Sequence, residues 1–420
     1  MRIRHQSLAS AAVIVALACT DSTGVAPISN MSATLGKQTV TLPATGPFAR
    51  IVEGEIGPGA LYALYIPTSW NGDAIFYSHG VRDVDSPVDL RDQNGFFAVR
   101  DLLGAQGFAI AYSSWSDNGI AMKDGAQRVH QLRGILAGEL KGQPKRSFLL
   151  AHSLGSGVAL DLVQTYGKQY DGALLMCGLV GGTLLETQYA AHMRALFDAF
   201  FPGTIPGDVI SVPPGTPVIT LPQVIAAVQS NPLALFTIAS LTQTPLPYVP
   251  MGNPLDPSST AFQTLVGSLY GGLQYQMRFA NNLLDLTHGH STFDNSTTTY
   301  SLGATPFLPP AVLQPLVNFL NAAVKRYSMD PASMNFMQHY FTPNGNLQIP
   351  VLTLHNTWDP GVPAFHETAL LQAVTTAGTN QYLLQRLYPA YGHCAIPANV
   401  QAQNFLDLVT WVTTKIKPAS

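Results

Sequence analysis

Three residues in this chain have the types, order and local settings that nucleophilic catalysis requires. Ser153 lies in Ala151-His152-Ser153-Leu154-Gly155-Ser156-Gly157, between an apolar run at 148–151 and a helical pattern over 156–166. A serine between a strand and a helix can sit on a sharp turn that lifts its hydroxyl to the sheet edge. Such a turn crowds the residues two before and two after it, and here these are the small Ala151 and Gly155. The helix start also brings backbone N–H groups and a positive dipole end to the serine. Asp359 follows a strand pattern at 350–355, and His393 follows another at 382–387. A neutral imidazole can take the serine proton, and a carboxylate can fix its tautomer and support the imidazolium. Each residue alone would more often be structural. Three in this order, each after its own strand, form a constellation.

With these residues in the order nucleophile, acid, histidine, the chain resembles the α/β-hydrolase superfamily over about 50–182 and 346–418. The family's usual motif is Gly-x-Ser-x-Gly, and Ala151 takes the first Gly place, a variant seen in some bacterial lipases. The resemblance implies Ser153 as nucleophile, Asp359 as acid and His393 as base. Ser78-His79-Gly80-Val81, after the apolar run 74–77, resembles the His-Gly turn of the family's oxyanion hole. It implies the backbone N–H groups of Val81 and Leu154 as oxyanion donors. His79, Trp115 and Trp358 stand at or just past strand ends and are candidates for the pocket; packing in the core is the other reading of each.

These residues need a scaffold. Short apolar runs at 61–66, 74–77, 108–112, 148–151 and 173–176 alternate with helical patterns at 96–106, 123–140 and 156–166. Near-continuous apolar runs suit parallel strands covered on both faces. Strand patterns at 350–355 and 382–387, with helical patterns at 364–376 and 400–416, resume the alternation. The expectation is an α/β-hydrolase architecture: a mostly parallel sheet with helices on both faces, formed by 46–182 and 346–420. The segment 183–345 differs. Twelve of the 31 prolines fall in 201–260, and 201–320 carries five charged residues: Asp208, Asp256, Arg278, Asp285 and Asp294. Helical patterns at 184–200, 221–241, 261–286 and 311–327 make this a large helical lid insertion.

Composition narrows the field. The chain is 46% apolar and 11% charged, which excludes a disordered chain. A net charge of −3 without a basic cluster gives no reason to expect nucleic acid. Past residue 19 no apolar run reaches the roughly 20 residues of a bilayer span. His288 and His290 have no carboxylate or cysteine at ligand spacing, so they read as a polar turn, and no metal or organic cofactor is expected. His366, seven residues after the acid on a helical pattern, is a poor base.

The first 19 residues read as an export signal, with Arg2 and Arg4 before the apolar stretch 8–18. Cys19 directly follows Leu17-Ala18 and resembles the lipidation site of a bacterial lipoprotein; the alternative is an ordinary secretory signal. Residues 20–45 read as a flexible tether. Cys177 and Cys394 then remain, either paired, as an oxidising envelope favours, or separately buried. The His393-Cys394 pair is similar to one in the tannase and feruloyl esterase group, which has a second Cys directly before its nucleophile; here that place holds His152.

The expected protein is therefore an exported serine hydrolase. It would cleave small-molecule carboxylic esters, apolar or aromatic, through an acyl-enzyme, and meet a membrane only through an N-terminal lipid. A prolyl- or tripeptidyl-type exopeptidase on the same triad is the second reading, and a non-catalytic binding lipoprotein the third.

Overall fold

The computed structural model describes residues 40–247, 255–303 and 307–419. The export segment 1–19, Cys19 and most of the tether lie outside them. A nine-stranded sheet forms the centre: β1 (Val40–Leu42), β2 (Phe48–Ile56), β3 (Ala60–Pro67), β4 (Asp73–Ser78), β5 (Ala109–Ser113), β6 (Arg146–His152), β7 (Gly172–Met176), β8 (Val351–Trp358) and β9 (Leu383–Tyr391). Their spatial order is β1-β2-β3-β5-β4-β6-β7-β8-β9. From β5 to β9 every neighbouring pair is parallel. β1, β2 and β3 add antiparallel, and β3 also meets β5 antiparallel.

Two sequence expectations are corrected here. The apolar run at 61–66 suits a parallel strand, but as β3 it pairs antiparallel on both sides. The tether does not extend to residue 45, because 40–42 form β1 on the edge of β2. β1 and β2 carry too many half-exposed and polar positions to show as apolar runs.

Helices cover both faces. The helices α1 (Phe96–Ala105), α2 (Met122–Glu139) and α3 (Leu154–Tyr166) connect the first strands, while α10 (Phe365–Ala377) and α11 (Ala398–Thr414) flank β9. Side chains alternate across each strand. Phe76, Leu149 and Leu175 therefore pack with Val129 and Leu132 of α2, Val158 and Leu162 of α3, and Leu370 of α10. Ile75, Phe148, Leu150 and Leu174 face the other way, onto Val99 and Leu103 of α1 and Phe405 and Leu408 of α11. At about 25 cal/mol per Å² of buried apolar surface, these two layers are the main stabilising term.

Between β7 and β8 the chain leaves the sheet for six helices: α4 (Thr183–Phe200), α5 (Leu221–Ser230), α6 (Pro232–Thr242), α7 (Thr260–Leu286), α8 (Pro310–Ala323) and α9 (Pro331–Phe341). Among the described residues this insertion contains no strand. It has its own apolar core, including Leu196, Phe197, Phe236, Phe262, Leu269 and Leu313. The single helix expected over 221–241 is two, bent by 107° at Asn231. Pro232 lacks the N–H that a continuous helix would use and restricts the residue before it, and Asn231 accordingly takes φ −149° and ψ 80°. α9 was not anticipated; it starts at Asp330-Pro331, where the Asp330 carboxylate accepts from Ala332 N. No single helix among the described residues is long and apolar enough to cross a membrane.

Polar contacts tie α7 to the sheet domain. Asn282 Oδ1 accepts from Ile120 N at 2.9 Å, Arg278 pairs with Asp83, and the hydroxyls of Ser268 and Tyr391 lie 2.7 Å apart.

Candidate active site

β6 ends at His152, and α3 begins at Leu154. Ser153 joins them at φ 54° and ψ −126°, a region L-residues rarely occupy. The turn is pinned from several sides. Ser153 N donates to Met176 O at 2.9 Å, and Leu179 N donates to Ser153 O at 3.3 Å. A Cβ on Gly155 would lie 2.3 Å from the carbonyl oxygens of both Ser78 and His79, so the α3 backbone presses directly on the end of β4. Ala151 carries a Cβ in the equivalent place before the serine and is fully buried.

The three residues expected to act together are brought together. Asp359 follows β8, and His393 follows β9. His393 Nε2 lies 2.8 Å from Ser153 Oγ, and His393 Nδ1 lies 2.8 Å from Asp359 Oδ2. The other Asp359 oxygen accepts from Gly361 N and Val362 N, each at 2.9 Å. With Oδ1 held by the backbone, Oδ2 faces His393 Nδ1, the arrangement in which a proton on Nδ1 leaves Nε2 free to receive one. Ser153 is 4% exposed and Asp359 is fully buried, whereas the His393 side chain keeps 32% of its surface. The imidazole therefore reaches solvent at the mouth of the site.

The loop after β4 runs past the serine. A Cβ on Gly80 would sit 3.1 Å from Ser153 Cβ. Gln93 Nε2 donates to Val81 O at 2.9 Å and fixes that peptide. Arg82 is buried, donating to Asp89 O and to the Tyr112 hydroxyl, each at 2.6 Å. Sequence reasoning did not find Gln93 or Arg82, since their roles come from a loop folding back on itself. Among the described residues, the backbone N–H groups of Val81 and Leu154 donate to no protein acceptor. Free donors next to a nucleophile are what an oxyanion hole needs.

Two of the pocket candidates are corrected. His79 is fully buried, with Nδ1 2.6 Å from Gly80 O and Nε2 3.0 Å from Ser114 O. Trp115 is 1% exposed, stacks on His79 at 3.9 Å between ring centres, and would meet a Cβ on Gly125. Both rings fill the core under the turn, because each chain segment folds inward at its strand end. Burial, with the nearby Arg82 charge, pushes His79 down to about 3. Trp358 stays half-buried at the end of β8, and its carbonyl accepts from Gly392 N at 3.0 Å.

Cys177 and Cys394 form a disulfide, with their Cα atoms 5.1 Å apart. It links the end of β7 to the residue after His393. The two sulfurs and the His393 ring lie close enough to frame a metal, but the joined sulfurs offer no thiolate. His152 takes the place directly before Ser153 without a sulfur. Its Nδ1 accepts from the Tyr77 hydroxyl at 3.1 Å, and its Nε2 donates to Gln401 Oε1 at 2.8 Å. Burial, and the charge of a protonated His393, push it down to about 4.

No protein-family model and no curated protein matches the sequence. Solved structures do. The chain is similar to an esterase from Aspergillus oryzae, at 12% identity over 88% of this chain and 81% of that one, with a TM-score of 0.48. It is similar to feruloyl esterase B from Aspergillus oryzae, at 14% identity over 90% and 83%, TM-score 0.47. It is also similar to Candida antarctica lipase A in its closed state, at 13% identity over 91% and 83%, TM-score 0.43. The strand order, the crossover helices and the turn at residue 153 decide the architecture. The fold is that of the α/β-hydrolases.

Two outcomes follow from this geometry. Gly155→Ala must displace backbone rather than a flexible side chain, so it should cost about 1–3 kcal/mol, read by urea denaturation; an unchanged midpoint would mean that the turn has slack. His152 is neutral in the folded protein, while its unfolded form titrates near about 6.5. Its pKa is lowered on folding, so its contribution to stability is complete above that value and is lost as pH falls toward about 4. His152→Gln should therefore lose less stability than the parent on going from pH 6.5 to 4.5, by about 2–3 kcal/mol. Parallel pH dependences in the two proteins would refute a neutral buried ring.

Proposed function

We propose that the protein is an exported serine hydrolase that cleaves carboxylic esters through an acyl-enzyme. The observation that carries this reading is the continuous hydrogen-bonded chain Ser153 Oγ, His393 Nε2, His393 Nδ1, Asp359 Oδ2, with both links at 2.8 Å. His393 takes the Ser153 proton as Oγ attacks the ester carbonyl. The N–H groups of Val81 and Leu154 receive the negative charge that develops on the carbonyl oxygen. His393 then gives its proton to the leaving alcohol. Water, activated by the same imidazole, releases the acid and restores Ser153. Asp359 stays ionised throughout and holds the ring.

An apolar or aromatic acyl group is favoured by the insertion's sparse charge. Of the four acids in 201–320, Asp208 pairs with Lys325, Asp256 binds Ser258, and Asp294 accepts from Ser296 and Met329 N, which leaves Asp285 as the one available to a substrate amine. Three engaged acids out of four leave few groups to hold a peptide's N-terminal amine, which ranks peptidase activity second. In this reading the N-terminal segment directs export, and a lipid on Cys19 supplies the membrane contact.

The test is a series of p-nitrophenyl esters from acetate to palmitate, run beside aminoacyl p-nitroanilides. Ser153→Ala should keep its melting temperature and lose about 10⁴–10⁶ in kcat, and a phosphonate should label Ser153. Two added methylenes, each contributing about 0.8 kcal/mol when buried, should favour butyrate over acetate by up to roughly tenfold in kcat/KM. Faster cleavage of anilides than of either ester would replace this reading with the peptidase.

A further inference from the structure

Behind Asp359 lies a second group of ionisable side chains, closed off from solvent. His355, on β8, is fully buried, and Glu367, in the first turn of α10, is 6% exposed. His355 Nε2 lies 2.7 Å from Val362 O. A carbonyl can only accept, so Nε2 carries a hydrogen. On the other side of the ring, His355 Nδ1 faces Glu367 Oε1 at 3.3 Å. Neither of these two buried atoms has a hydrogen-bond partner elsewhere. They stand in ion-pair contact and not in an aligned hydrogen bond, so a proton on the ring is held there by the charge of the facing carboxylate.

The surroundings decide which atom holds that proton. Glu367 Oε2 accepts from Thr353 Oγ1 and from Gln385 Nε2, each at 2.5 Å. Two donors on one oxygen favour the ionised carboxylate. The proton then sits on His355 Nδ1, and with Nε2 already protonated the ring is an imidazolium. Its Nε2 also lies 3.8 Å from Asp359 Oδ2, the oxygen that accepts from His393.

The remaining ionisable neighbours fit a cation at this place. His366 on α10 accepts from Gly181 N through Nδ1, so its hydrogen is on Nε2, which donates to Glu186 Oε2 of α4. Burial, and the charge of His355, push His366 down to about 3. Glu186 is pushed well above the carboxylate range by burial and by Asp359. Burial opposes charge on His355, but Glu367, Asp359 and the Val362 carbonyl outweigh it and raise its pKa. The described groups around the ring are thus Asp359, Glu367, His366, Glu186 and His393, and His355 is the cation among them.

We propose that His355 is a positioning residue: a buried imidazolium, held between Glu367 and Asp359, that anchors the acid loop and opposes proton uptake by the Asp359–His393 pair. This rests on the reading of Asp359 and His393 as acid and base. The geometry gives His355 two tasks. Its bond to Val362 O fixes the loop whose N–H groups hold Asp359. Its charge, behind the carboxylate, partly offsets the pull that Asp359 exerts on a proton at His393. Removing that charge should therefore show in the acid limb of the reaction.

The test separates charge from packing and from function. In the folded protein labelled with ¹⁵N-histidine, side-chain ¹H–¹⁵N spectra through a pH series should show one buried histidine that keeps both ring protons to higher pH than a free imidazole. That signal should vanish in His355→Gln. It should also revert to a singly protonated ring in Glu367→Gln, where His355 remains but its counter-charge is gone. In both variants the acid limb of kcat/KM on the preferred p-nitrophenyl ester should move to higher pH by about half a unit, roughly threefold in rate on that limb, with KM little changed. A His355 ring that loses its second proton no later than a free imidazole, or an unmoved limb in either folded variant, overturns the proposal. If His355→Gln fails to fold, the parent spectrum and Glu367→Gln decide. If the parent hydrolyses no ester, the functional reading fails, while the spectrum still decides where the proton lies.

Discussion

At Ser153 the backbone occupies φ 54° and ψ −126°, a conformation that L-residues hold only under constraint from their surroundings. The constraint here is the close approach of α3 to the end of β4. Because residue 155 has no side chain, the helix start presses onto the carbonyls of Ser78 and His79. The same approach brings the Gly80-Val81 peptide beside the serine and directs the helix N-terminus at the space above it. The candidate nucleophile and both candidate oxyanion donors are thus fixed by one packing contact between two central strands and one helix. The strain is distributed over a parallel β4–β6–β7 ladder whose residues are almost all fully buried, which leaves the turn little freedom to relax.

Parallel strands covered on both faces were legible because their whole length must be apolar. The runs at 74–77, 148–151 and 173–176 needed only one or two residues added at their ends. β2 was not legible for the opposite reason: Arg50, Glu53 and Glu55 sit on a strand with a half-exposed face, and their charges conceal the pattern. The insertion's helical character was visible, yet the break at Asn231 was read through, because the apolar spacing continues across Pro232 while the backbone does not. Ser153, Asp359 and His393 could be read since each is punctuation after a strand. Position after a strand does not reveal which way a side chain turns, however. His79 and Trp115 satisfied the same criterion and face the core, stacked on each other.

What sequence could not show is the layer behind the acid. His355, Glu367, Thr353, Gln385, His366 and Glu186 come from β8, α10, β9 and α4, and no spacing rule relates them. Their pairing is visible only as tertiary distances and as two buried atoms without other partners. In a chain with 11% charged residues, such a concentration of buried charge is not explained by general surface chemistry. Isolated buried charges are costly, and pairing with complete hydrogen bonding is what makes them tolerable.

The three residues of the candidate triad are held to different degrees, and the difference bears on how the site could work. Ser153 is fixed by the turn, and Asp359 by two backbone N–H groups and the His355 layer. His393 lies on a loop and keeps a third of its side chain in contact with solvent. Its restraint comes from its neighbours: Gly392 N donates to Trp358 O, Asn356 Nδ2 donates to Ala395 O at 3.0 Å, and Cys394 is bonded to Cys177 at the end of β7. Each of these ties leads back to β7 or β8, the strands beside the nucleophile and the acid. An imidazole that must pass a proton from serine to leaving group needs small adjustments at Nε2 without losing its contact at Nδ1. A ring open to solvent but anchored through the residues on both sides meets that need, since the backbone is held while the side chain retains its freedom to turn.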